Sequence, residues 1–406
     1  MQPIREKDPL AERTDEVRPG TIEIRAVESR GDFALFVRLQ RLLYAGLEGF
    51  RPRLDKEFRE VLDRRRGPFF KHGRARYFLA FRDGRPVGRI SAQIDDLAPS
   101  GEGFFGCLDA ADDGEAVAAL LSAAEDWLKG EGATVFRGPF MLSINGESGL
   151  MLEGQTSAPM IMMGWSPTYL AAHLERAGYR LVKRLYSYRL ALDAEGENAH
   201  AANLRKRLVT GKNRMRGLRL HDLAGEAAIF SDVFNDAWAD NWGFVPITVA
   251  EIGKMLGSLI MVLRPDSAVV FESDGKPIGF AMTLPNLAEI VQGFNGTLLP
   301  FNWLKFAVWA LRKDATSVRV ILFGVRRAMR SSVLGAAMPL VIIDELLRRS
   351  RTWKVREVEM GWVLEDNVQV RSLIEKIGGE VDKTYGVFEK EARGGRDECE
   401  SGGKAE

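Results

Sequence analysis

Apolar positions along the chain follow two rhythms, alternation and a helical repeat, and these succeed one another in the same order twice. A strand is predicted at 21–27. Residues 31–46 then set Phe33, Phe36, Val37, Leu39, Leu42 and Leu43 on one broad face, the spacing of an amphipathic helix. After a charged helix to about 66, the runs 77–81 and 87–94 read as strands. Asp83-Gly84 between them is a strong hairpin signal. A strand at 104–108, a helix at 112–130, a strand at 135–144, a helix at 169–178 and a strand at 179–192 complete the first half. The second half offers helices at 230–238 and 249–259, a hairpin at 268–282 turning at Asp274-Gly275, and an apolar helix at 301–312. A strand at 318–323, a long helix at 332–349, a strand at 355–363, a helix at 367–378 and a strand at 383–389 follow.

The stretch 318–350 organises the functional reading. Its strand turns at Gly324 into a loop with Arg326, Arg327 and Arg330, and the loop opens a helix. The first N–H groups of a helix lack intrahelical partners, and its dipole favours an anion there. Arginines supply charge-assisted partners for phosphate oxygens. The pattern suits a pyrophosphate seat; its alternative is a helix start with solvated arginines. Pro339 should bend the helix.

Composition narrows the class. At 406 residues the chain suggests two or three domains. Lys+Arg 57 against Asp+Glu 56 gives a net charge of +1, which argues against a whole-protein nucleic-acid footprint. Two cysteines, Cys107 and Cys399, make neither a disulfide framework nor a zinc cluster. A reducing, cytoplasmic setting is expected, without a signal peptide or a membrane-spanning run. The four histidines have no metal-ligand spacing, and neither a P-loop nor a G-x-S-x-G elbow is present. Gly101–Gly106 spells G-x-G-x-x-G but leads into a strand, which is the wrong context for a dinucleotide.

Two landmarks recur in matched order. Asp83-Gly84-Arg85-Pro86-Val87-Gly88 returns as Asp274-Gly275-Lys276-Pro277-Ile278-Gly279. Leu174-Glu175-Arg176-Ala177-Gly178 returns as Ile374-Glu375-Lys376-Ile377-Gly378. A duplication is expected, giving an α/β protein of two tandem domains, each a twisted mixed sheet flanked by helices. The boundaries are a mobile tail at 1–20, a first domain at 21–192, a second at 193–390 and a disordered tail at 391–406.

Each half resembles a GNAT-superfamily acyltransferase domain. The resemblance implies that acyl-CoA binds the second half. Phe323, Gly324, Val325, Arg326, Arg330, Val333, Gly335 and Ala336 stand at the family's pyrophosphate loop, and Asn367 at the asparagine that contacts the cofactor arm. Val333 departs from the family glycine, and the family's helix tyrosine is missing near Ile374. Where the first half should carry its loop, residues 109–113 are acidic, which repels pyrophosphate; that half is expected to support the site or shape substrate. Gly138-Pro139, the segment 143–150 and the segment 241–246 also resemble a narrower set of bacterial paired-GNAT proteins that includes the ceramide synthases. That resemblance implies an amine acceptor, with a sphingoid base favoured.

An alkyl amine, with a pKa near about 10.4, must lose a proton before it attacks a thioester. The candidate bases are Glu359, expected in an apolar cleft or else facing solvent, Asp240, and Glu147 if the site lies between halves. Trp238, Trp242, Phe244, Phe301, Trp303, Phe306 and Trp309 read as core or as a channel for an acyl chain. The basic run Arg205–Arg219 reads as a solvated helix face or as a docking patch for an acidic carrier protein or an anionic membrane surface, which would put the protein peripherally at the membrane's inner face. No metal is implied. The rival functions are transfer to a small amine or peptide, and a GNAT-like pair that binds ligand or lipid without turnover.

Overall fold

A computed structural model describes residues 20–192, 199–312 and 314–392. The tails expected at 1–20 and 391–406 lie almost wholly outside the described residues, as does most of the polar connection after 192. The first half runs β1 (Ile22–Ala26), α1 (Arg30–Tyr44), α2 (Asp55–Leu62), β2 (Gly73–Arg82), β3 (Arg85–Asp95), β4 (Glu102–Ala110), α3 (Gly114–Gly130), β5 (Val135–Gly138), β6 (Leu150–Glu153), α4 (Tyr169–Arg176) and β7 (Arg180–Ala191). The second runs α5 (Ala199–Leu208), β8 (Asn213–Arg216), α6 (Leu223–Trp238), α7 (Val249–Ser258), β9 (Ala268–Ser273), β10 (Lys276–Pro285), α8 (Ala288–Val291), α9 (Asn302–Arg312), β11 (Ser317–Val325), α10 (Val333–Arg351), β12 (Glu357–Leu364), α11 (Val368–Lys376) and β13 (Glu380–Glu391).

The repeat holds down to backbone hydrogen bonds. Asp83 and Gly84 turn at φ 51° and 76°, and Asp274 and Gly275 at φ 50° and 76°. Paired positive φ angles match the twist of a two-residue hairpin, and they favour Asp-Gly. Gly178 and Gly378 close α4 and α11 at φ 87° and 93°. In each case the glycine N–H reaches back to a glutamate carbonyl, Glu175 or Glu375. Glycine adopts this left-handed cap without a Cβ clash.

All the main strands join one sheet, ordered β1-β2-β3-β4-β5-β13-β7-β12-β11-β10-β9-β8, with β6 pairing β13 alongside. The order is nearly a palindrome, with the last strands of the halves exchanged. β7 ends the first half yet pairs β12 of the second, and β13 ends the second yet pairs β5 of the first. β7 and β13 pair antiparallel with each other at the middle. In each half one pair of neighbours is parallel, β4 with β5 and β11 with β12.

One predicted strand is cut short. β5 ends at Gly138 rather than 144, because Pro139 has no N–H for a ladder. The chain stays against β4 for one more bond, Phe140 N–H to the Phe105 carbonyl at 2.8 Å, then loops away before β6. A Cβ on Gly106 would collide with the Phe140 carbonyl, so this close crossing requires glycine. Glu391, expected in the tail, is the last residue of β13 and pairs Val135.

Candidate active site

The loop expected to seat a pyrophosphate lies where β11 hands over to α10. Phe323, Gly324 and Val325 end β11, and Ser332 caps α10 by accepting from the Gly335 N–H at 2.9 Å. The Ala336 N–H bonds the Ser332 carbonyl at 3.0 Å. Space around Gly335 is filled by the Met329 carbonyl, so the loop folds back over its own helix start. The arginines are not simply solvated. Arg326 donates to Asp232 and to the Pro277 carbonyl; Arg327 meets Asp240 at 2.8 Å; Arg330 meets Asp240 at 3.4 Å and the Ala237 carbonyl. Asp232 and Asp236, four apart on α6, and Asp240, two residues past its end, form this acidic face, a signal present in the sequence but unread there. Arg327 and Arg330 stay about half exposed, at 42% and 50%. Exposed pairs of this kind are worth about 0–1 kcal/mol. A pyrophosphate could therefore exchange for the α6 carboxylates at small cost, and the loop fits such a ligand once it does.

Below the loop, β11 and β12 pair from Ser317 and Glu357 to Val320 and Met360, then separate. The Trp238 indole donates to the Phe323 carbonyl at 2.8 Å in the gap. Val318, Val320, Val358 and Met360 share one core with Met338 and Ile342 of α10. Arg319 and Glu359 alternate to the other face. Glu359, expected in an apolar cleft or facing solvent, is instead 1% exposed in a buried ion-pair cluster. It meets Lys383 Nζ at 2.9 Å and Arg319 Nε at 3.5 Å. Arg319 also donates to the Ile161 and Gly361 carbonyls, at 2.8 and 2.7 Å. Glu359 Oε1, Arg319 Nε and the Tyr385 hydroxyl are buried without hydrogen-bond partners. Burial pushes the Tyr385 phenol well above its usual range, and the charges of Glu359 and Glu147 add to that. Burial pulls Arg319 below its usual range.

Glu147 approaches the same cluster from the first half, where Arg53 holds it at 2.7 Å. Both Tyr385 and Arg319 feel its charge. Its side chain is 18% exposed and lines a cleft with about 470 Å3 of empty space, part of it open to solvent. Gln40, Arg89, Cys107, Asp109 and Trp165 line the rest. Arg89 and Asp109 form a buried pair at 2.7 Å, and Gln40 donates to Asp109 at 3.0 Å. Burial pushes the Cys107 thiol up to about 11. On the order of one thiol in a thousand is then ionised at pH 8. Iodoacetamide should label Cys107 slowly at pH 8 and roughly tenfold faster per pH unit up to 11, read on the Cys107 peptide by mass spectrometry. Fast labelling at pH 8 would mean a wetter cleft than this one.

The two segments singled out in the sequence meet at the seam between halves. Asn145 Nδ2 donates to the Val245 carbonyl at 3.0 Å, and Ile144, Val245, Trp165 and Tyr385 share one core, with Trp242 and Trp362 packed on it. The structure thus brings Glu147 and Glu359 into one electrostatic neighbourhood and leaves Asp240 outside it, 59% exposed beside the loop arginines. Asn367 caps α11 through Val370 N–H at 3.3 Å. Lys383, Arg319 and Arg53 join this cluster unforeseen from the sequence, although for Arg319 an isolated charge in an apolar strand (VRVILF) was the available signal.

The aromatic residues divide. Trp238 stacks on Phe234 and meets Trp362 edge-on at 5.6 Å, both indoles being half-buried. Phe301 and Trp303 are 75% and 52% exposed, so they line no interior channel. The basic run is largely tied down: Arg205 pairs Asp344, Arg214 and Arg216 pair Glu272, and Arg216 also pairs Glu226. Among the described residues no helix is long and apolar enough to cross a membrane, and no group of three acidic, His or Cys side chains is placed to hold a metal.

No family model matches the chain. Among characterised sequences, the bacterial ceramide synthase of Caulobacter vibrioides is 36% identical over 371 residues, covering 90% of this chain and 96% of that protein. Protein YghO of Escherichia coli K12 is 34% identical over 375 residues, covering 91% and 95%. Among solved structures, a tandem GNAT protein from the clavulanic acid biosynthesis pathway superposes with a TM-score of 0.57 at 14% identity, covering 91% of this chain and 98% of that one. A GCN5-related glucosamine N-acetyltransferase region of a fungal multi-domain enzyme gives 0.54 at 12% identity, covering 93% and 39%. Those likenesses give the fold, a mixed α/β pair of tandem GNAT domains, and the two sequence relatives extend over nearly the whole of it. The chain belongs to the family of the bacterial ceramide synthase.

Proposed function

We propose that this acyl-CoA-dependent N-acyltransferase moves a long acyl chain from the thioester to the amine of a sphingoid-type base. The observation that carries the reading is the 36% identity to the bacterial ceramide synthase across 90% of the chain. In this reading the donor's pyrophosphate lies at the loop of Arg327 and Arg330, and its arm enters the gap between β11 and β12. The amine and hydroxyl head of the acceptor enters the first-half cleft beside Glu147. Glu147 takes one proton from the ammonium, the freed nitrogen attacks the thioester carbon, and the carbon–sulfur bond breaks; coenzyme A leaves as a thiolate that takes up the second nitrogen proton, and Glu147 returns its own to solvent. Of Glu147, Glu359 and Asp240, Glu147 is the one both open to a cleft and close to the cluster. Glu359 is a positioning residue, fixed by Lys383 and Arg319. Tyr385 keeps its proton throughout the working pH range.

The loop itself favours a second reading. Its arginines already have carboxylate partners, and Val333 stands where the family has glycine; both suit a pair that binds ligand without turnover. Thiol release from palmitoyl-CoA and acetyl-CoA, with and without a sphingoid base, separates the two. Release that needs both the long-chain donor and the base supports the proposal; donor binding without release supports the second. In the first case the double variant Arg327→Ala/Arg330→Ala should raise KM for palmitoyl-CoA about 10–100-fold, with kcat little changed. An unchanged KM would move the pyrophosphate elsewhere.

A further inference from the structure

α9 carries an apolar stripe that nothing among the described residues covers. Phe301, just before the helix, with Leu304, Val308 and Leu311 recurs every three or four residues, so these side chains stack along one line. They are 75%, 52%, 39% and 81% exposed. The opposite face is the packed one: Ala310 is buried, and Phe306 and Trp309 rest against the α6–α7 core. Exposed single apolar residues are ordinary, but a contiguous stripe marks a contact surface.

The charges beside it select the partner. Lys305 and Arg312 are exposed and fall on one border of the stripe at helical spacing. No Asp or Glu occurs at 290–313, while Lys305, Arg312 and Lys313 do. Trp303 adds an amphipathic ring at 52% exposure. An apolar line bordered by cations, with an indole at its start, matches a helix lying in the headgroup region of an anionic bilayer. A second copy of the chain fits less well. The helix is 11 residues and so about 16 Å long, and one short line of side chains falls below the ~800 Å2 per partner that a stable dimer buries. The neighbouring segment is fastened to α9 by Arg264, which donates to the Ala310 carbonyl at 2.6 Å.

We propose that α9 docks the protein on an anionic lipid surface, apolar stripe inward and Lys305 and Arg312 at the phosphate level. The proposal deepens the reading of a lipid substrate and rests on it for its purpose, but its test does not need turnover. The full chain would be sedimented with vesicles of phosphatidylglycerol and phosphatidylcholine, and with phosphatidylcholine alone. Binding is expected to the anionic vesicles, to weaken with salt, and to fall at least tenfold in Leu304→Glu/Leu311→Glu. Both side chains are exposed, so the variant's thermal melt should match the parent's. Its thiol release with detergent-dispersed substrates should match as well. Vesicle binding that survives in the variant, or none in the parent, overturns the proposal. So does a parent dimer that the variant converts to monomer without altered vesicle binding, since the stripe then faces a second copy. Vesicle binding with no acylation of a sphingoid base would leave docking intact and remove the substrate reading instead.

Discussion

Glu147→Gln is expected to lower kcat/KM for the amine by about 10²–10⁴-fold, the usual contribution of a positioned general base. The fold should tolerate it. Arg53, the partner of Glu147, is 26% exposed, and the amide oxygen still accepts its hydrogen bond, so the stability cost should stay below the about 3–5 kcal/mol of a fully buried broken pair. A pH series separates chemistry from structure. Solution removes the amine proton itself as pH approaches about 10.4, so the variant's rate should climb roughly tenfold per pH unit toward that value. A variant with parental turnover at neutral pH would make Glu147 merely the partner of Arg53. Glu359→Gln should behave differently. It takes a buried counter-charge from Lys383, 1% exposed, and its main effect should be a lower unfolding midpoint.

Asp109→Ala is expected to destabilise the protein by about 3–5 kcal/mol, because it strands the Arg89 guanidinium in the interior. Arg89 is 1% exposed, and its remaining acceptors are the Phe36 and Val37 carbonyls. The double variant Arg89→Met/Asp109→Leu should recover most of that loss, since removing both charges also removes the desolvation penalty. Denaturant midpoints of Arg89→Met, Asp109→Leu and the double variant close the cycle. If Asp109→Ala costs under about 1 kcal/mol, water reaches Arg89 through the cleft and the pair is less enclosed than its geometry indicates.

Local structure was legible in the sequence wherever one residue type answers one backbone need. The Asp-Gly turns, the glycine caps of α4 and α11 and the apolar faces of α1 and α3 follow from spacing and φ alone. The exchange of β7 and β13 was not legible. Both are 12-residue strands with comparable patterns, and alternation says which face is buried, not which neighbour is paired. The site divides the same way. The loop of Arg326, Arg327 and Arg330 was readable from strand, glycine and helix start. The cluster of Arg319, Glu359, Lys383 and Tyr385 draws on three strands, β11, β12 and β13, whose adjacency depends on the whole sheet order. Asp240 looked like a base because it adjoins Asn241-Trp242. Its place in the exposed turn after α6 sets it against the loop arginines instead.

The exchanged strands bear on how such a chain could arise and on what happens when it is divided. Two identical single-domain copies trading their last strands about a twofold axis would give nearly the same palindromic order, as a swapped homodimer. Joining the copies end to end turns that trade into an event within one molecule, with an effective concentration set by the connection rather than by dilution. The linked pair then has no monomer to dissociate into. Its halves are also free to diverge, one keeping a basic loop and the other an acidic turn, without either losing the strand it borrows. Cut at the connection, each half would offer an open sheet edge to the other and would rejoin its counterpart before it could stand alone.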